Sequence, residues 1–122
     1  MNTAKLYDLQ ESMKDLPNQI EPHTDHFFSE GMYGRLMHLK AGESVVGKAH
    51  KHNHLAMLLV GAVSIQSKYG LITYNAAKGP CIINVLAGDK RAFFAHSDIQ
   101  YITLHVTDET DLVKLEQELV GE

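Results

Sequence analysis

At 122 residues, with 44% apolar and 21% charged positions, the chain is long enough to bury one core without disulfides or structural metal, and nothing suggests disorder or a membrane span. Fifteen acidic against eleven basic residues give a formal charge of -4, and the basic residues are scattered, which argues against nucleic acid as a partner. The single cysteine, Cys81, excludes an intrachain disulfide and reads as a small core residue in an apolar run.

Leu6, Leu9, Met13 and Leu16 recur at spacings of three and four between charged residues, which predicts an amphipathic helix over about 4–16, ended by Pro17. The polar stretch 18–25 reads as a connection. From about 26 to 106 the signals are those of a β protein, with strands expected near Met32–Lys40, Val45–Gly47, Leu55–Val60, Val63–Lys68, Leu71–Asn75, Cys81–Leu86, Arg91–Ala95 and Gln100–Val106. Glycine-bearing turns separate them, and such regular spacing predicts a sandwich or barrel. Thr107 to Asp111 supply capping residues for a terminal helix over about 110–120, with a stripe of Leu112, Val113, Leu115, Leu119 and Val120. One domain over 1–122 accommodates all of this. The N-terminus lacks the apolar core of a signal peptide and no run approaches the ~18 apolar residues of a spanning helix, so the expectation is a cytoplasmic protein with no membrane partner.

The chemistry concentrates at His50-Lys51-His52-Asn53-His54, which runs into the apolar strand Leu55–Val60. Residues two apart in an extended chain share a face, so three imidazoles can converge there, and neutral imidazole ligates zinc, iron, copper and nickel. The competing reading is a solvated polar approach to a hairpin.

The same region resembles the cupin family, whose first motif runs Gly, five residues, His, one residue, His, three or four residues, Glu, six residues, Gly. Gly42, Lys48, His50, His54 and Gly61 occupy those positions, so lysine replaces the first histidine and histidine replaces the glutamate. The second cupin motif maps onto Pro80 to Ala95: Gly88 keeps a turn glycine, whereas Leu86, Arg91 and Ala95 replace the proline, histidine and asparagine. The resemblance spans about Met32 to Val106 and implies an all-β fold, a cupin-like double-stranded β-helix or jelly-roll barrel, here with an N-terminal and a C-terminal helix. It looks like the small single-domain cupins of bacteria and phages. The usual set of three histidines and a carboxylate cannot form, because arginine is not a metal ligand and protonated lysine repels one.

Two arrangements restore a metal site. His50, His52 and His54 together would form a three-imidazole site with an open position for water; alternatively, His96 or His105 would join His50 and His54. The ion would be zinc, iron, manganese or nickel. Lys48 and Arg91 on family ligand positions would instead suit a small anionic ligand, unless they turn outward or pair with carboxylates such as Glu43 or Asp89. His105 and His38 read more readily as strand residues with a hydrogen-bond partner than as ligands, His96 reads equally as a surface residue at a turn, and His23 and His26 are assigned no role. Three functions follow: a metal-dependent cupin with catalytic residues unidentified, a metal-free module binding a small anion, or an assembly protein without activity. The cupin resemblance also implies a homodimer.

Overall fold

The computed structural model describes residues 20–122. The helix expected from Leu6, Leu9, Met13 and Leu16 lies outside them. Nine strands and one helix follow in chain order: β1 (His23–Ser29), β2 (Met32–Leu39), β3 (Ser44–Val46), β4 (His54–Val60), β5 (Ala62–Ser67), β6 (Gly70–Asn75), β7 (Cys81–Val85), β8 (Ala92–Ala95), β9 (Ile99–Val106) and α1 (Leu112–Leu119). They form two antiparallel sheets, ordered β1-β2-β9-β4-β7 and β3-β8-β5-β6. This is the double-stranded β-helix that the cupin resemblance implies.

The eight expected strands are present, each with one or both ends shifted by one residue. β1 is the exception, since stretch 18–25 reads as a connection and yet His23 to Asp25 open a strand. The reason is physical: β1 is an edge strand with four polar residues at its start, so it lacks the apolar alternation that marks a half-buried strand. It closes on β2 through a turn in which Gly31 takes φ 74°.

Between the sheets lie Leu39, Ala56, Leu58, Val63, Ile65, Ile83, Val85, Phe93, Ala95, Ile99 and Tyr101. Burying a side chain such as Leu58, fully enclosed here, contributes about 2 kcal/mol. The period of two along each strand sends alternate residues inward. On β9 these are Tyr101, Thr103 and His105, and their partners across the sheet are Met37 and Leu58, Arg35 and Ala56, and Tyr33. The inner face therefore grades from an apolar floor to a polar rim.

At that rim α1 packs Leu115 and Leu119 against Tyr33. Asp111 caps the helix by accepting from the Val113 and Lys114 amides. Past α1 the chain runs along the residues before β4: Val120 bridges His50, Lys51 N donates to Leu119 O (2.7 Å), and Gly121 N donates to Ala49 O (2.8 Å). Glu122 locks this tail, accepting from Lys90 Nζ at 2.6 and 2.7 Å and from Ala49 N. Lys90 is fully buried, so its ammonium depends on such partners. Among the described residues no helix is long and apolar enough to cross a membrane.

Candidate functional site

A cavity of about 430 Å³ opens at the polar rim. Its wall includes Tyr33, Arg35, His50, Asp89, Arg91, Tyr101, Thr103 and His105, with Leu115 and Leu119 of α1 over the top.

Three imidazoles cluster beside it: His50 and His105 line the wall, and buried His54 packs against both. His54 is the first residue of β4 and points inward in phase with Ala56 and Leu58; His105 points inward from β9; His50 is held by its bridge to Val120. Ring centroids lie 4.6 Å apart for His50–His54, 4.6 Å for His54–His105 and 5.2 Å for His50–His105. Burial first, and then the neighbouring imidazoles and Arg35, push His50 down to about 3 and His105 to about 4. Burial also lowers His54, against an opposing hydrogen bond to the His52 carbonyl. All three rings are thus neutral at pH 7, the form that ligates metal.

The His54 tautomer suits the same role. His54 Nδ1 donates to His52 O (3.3 Å), which leaves Nε2 as a bare lone pair, and that atom is buried without a hydrogen-bond partner. His105 Nε2 lies 2.9 Å from Thr103 Oγ1, and its ring stacks on Tyr33 at 5.8 Å. The Tyr33 hydroxyl is 2.6 Å from His26 Nδ1, so β1 also reaches the rim.

Below the imidazoles the cavity is cationic and polar. Arg91 packs over the rings of Phe93 (5.1 Å) and Tyr101 (5.6 Å) and donates to the Tyr101 hydroxyl at 2.6 Å. Burial raises the Tyr101 phenol, with Arg91 opposing, so it stays protonated. Asp89 also faces the cavity, with Oδ1 buried and unpartnered, and burial raises its carboxyl pKa against the pull of Arg91 and Lys68.

The structure separates the residues singled out by sequence. It brings His50 and His54 together with His105. His52 is exposed and stands apart, because the chain is irregular from Lys51 to Asn53 and strand alternation begins only at His54. His96 is exposed beside the other sheet, its Nε2 2.6 Å from Ser64 Oγ and its ring against Phe94. Arg91 faces the cavity as the cupin register implies. Lys48 touches the rim but is half exposed and pairs with Glu116 of α1, whose carboxyl it lowers. Sequence reasoning left Arg35, Tyr101 and Tyr33 unnamed and gave Asp89 only as a possible ion-pair partner. Inward alternation along β2 and β9 was the available signal for the first three.

No protein-family model and no curated protein matches the chain. Solved structures do. A cupin superfamily protein from Desulfitobacterium hafniense aligns with TM-score 0.58 and 17% identity over 72% of this chain and 79% of its own. A Cupin 2 conserved barrel domain protein from Salinispora arenicola gives 0.57 and 10% over 80% and 82%. Salicylate 1,2-dioxygenase from Pseudoaminobacter salicylatoxidans, solved as adducts with gentisate, gives 0.63 and 10% over 96% of this chain but 34% of its own. At such identities the likeness establishes the fold, while function has to be argued from the site.

Proposed function

On the premise of a cupin double-stranded β-helix, we propose that this protein binds a small organic anion beside a divalent transition-metal ion held by His50, His54 and His105. The observation that carries the reading is the buried, unpartnered Nε2 of His54 among three neutral imidazoles. Three imidazoles suit zinc, iron or nickel, and the missing cupin carboxylate is no bar, since sites of three histidines and an open position exist. When bound, the ion would supply Lewis-acid polarisation of a ligand oxygen.

The chain's own residues do the rest. Arg91 offers its guanidinium to a carboxylate or phosphate, held in place by the Tyr101 hydroxyl and by the two aromatic faces. Arg35 adds a second positive charge to the cavity wall. Leu115 and Leu119 shield the rim from water, which strengthens each charged contact inside. Asp89, with its raised carboxyl pKa, is the candidate for moving a proton.

A metal-free anion-binding module is the second reading, favoured by the placement of Arg91 where the cupin motif has a histidine ligand. Elemental analysis of tag-free protein separates the two. Under the first reading the wild type carries metal that a His50→Ala, His54→Ala double variant lacks. Equal metal in both rejects it. Thermal-shift screening against dicarboxylates and sugar phosphates then tests the anion site, and a response that survives Arg91→Ala refutes that assignment.

A further inference from the structure

We propose that His23, Asp25 and His38 form a second metal site, for a divalent first-row transition ion such as Zn²⁺, on the outer face of the β1–β2 hairpin. His23 and Asp25 are two apart on β1 and so share a face. Antiparallel register sets His38 directly opposite His23, and Leu36 opposite Asp25. The intervening residues of the same strands, Thr24, Arg35 and Met37, line the cavity instead. The sheet therefore lies between the two histidine clusters.

Among the described residues this is the one group in which three side chains place a ligand atom within 4.8 Å of each other. Asp25 holds the two rings in place: His23 Nε2 is 3.0 Å from Oδ1, His38 Nε2 is 2.8 Å from Oδ2, and the ring centroids are 5.2 Å apart. Two imidazoles and one carboxylate match zinc and its neighbours in the series better than calcium or magnesium, which prefer oxygen throughout. The His23 side chain is 72% exposed, so water completes the coordination.

The same Nε2 atoms that contact Asp25 become ligands when each imidazole carries its proton on Nδ1. An ion between them replaces two hydrogen bonds by three coordinate bonds and fastens edge strand β1 to β2. That strand carries Thr24 and His26 to the cavity rim, so the clip also steadies the wall of the inner site. The sequence shows the pattern only in hindsight. His-x-Asp on a strand is unremarkable until the hairpin register supplies His38.

The test titrates tag-free, chelator-stripped protein with Zn²⁺ in competition with a chromophoric chelator at pH 7.5. Wild type is compared with His23→Ala/His38→Ala and with His50→Ala/His54→Ala. The cavity variant should keep one equivalent of zinc on the hairpin. The hairpin variant should lose one equivalent, with affinity at that step falling tenfold or more, at least the ~10-fold that losing even an outer partner of a ligand costs. Asp25→Asn should weaken the same step. Unchanged stoichiometry and affinity in His23→Ala/His38→Ala overturns the proposal. Failure of the cavity reading looks different: His50→Ala/His54→Ala then titrates like wild type, while the hairpin variant binds nothing. Both hairpin histidines are solvent-accessible, and a thermal melt of each variant confirms folding.

Discussion

Acidifying metal-stripped protein should destabilise it between about pH 6.5 and 4, and the cavity imidazoles should be the cause. In the unfolded chain each His takes up its proton near pH 6.5. In the folded protein burial delays that to about 3 for His50 and about 4 for His105. Over the interval the unfolded state binds more protons, so stability is full above about pH 6.5 and falls as pH falls. Each ring withheld from protonation costs at most ~1.4 kcal/mol per pH unit, and two together up to ~2.7. Partial contact with water roughly halves this, giving about 1.4 kcal/mol per unit for the pair. Asp89 works in the opposite sense at the acid end, because its raised carboxyl gives the folded state a proton early. Urea unfolding at intervals from pH 7.5 to 5 measures the slope. His54, which burial also lowers, adds to the same slope, so His50→Gln should reduce it by roughly a third to a half, as should His105→Gln. Stability that does not change over this range, or a slope untouched by both substitutions, refutes the reasoning.

The two glycines of the first cupin motif should respond unequally to alanine. Both have positive φ, 85° at Gly42 and 84° at Gly61. A Cβ at Gly42 meets nothing within 4 Å, so Gly42→Ala should cost only the conformational ~1–2 kcal/mol. At Gly61 it would lie 2.2 Å from the Asp98 carbonyl, so Gly61→Ala should cost several kcal/mol or prevent folding; equal denaturation midpoints for the two would contradict the turn geometry. Glu122→Gln, which removes the carboxylate beside buried Lys90, should destabilise by about 3 kcal/mol in urea unfolding, whereas a surface-like change under 0.5 would show that the tail lock is dispensable. Leu58→Ala should cost about 2–5 kcal/mol without altering anion binding, as isothermal calorimetry with a dicarboxylate can verify.

Much of the barrel was legible along the chain. Val63–Lys68 alternates because one face meets a core, while Leu55–Val60 shows as an unbroken apolar run that ends at Gly61. β1 left no such mark, since its outward face carries His23 and Asp25 and its inward face meets a polar rim. The Leu112–Val120 stripe marked α1, but which of its residues face inward was decided by packing: Leu115 and Leu119 are buried while Val113 is 69% exposed.

The candidate site divides in the same way. His50 and His54 could be picked from local spacing because the first cupin motif is a local pattern, and Arg91 followed from the second motif. His105 is some fifty residues further on. Its place beside His54 depends on β9 pairing with β4, with Leu55 opposite Leu104. Likewise nothing local joins His38 to His23 and Asp25, which a hairpin register sets face to face. By itself the sequence determined eight of the nine strands, their turns and which end of the barrel carries imidazole, because these depend on neighbours in the chain. The tertiary structure decided which histidines share a point in space, because strand pairing brings together residues that no spacing rule connects.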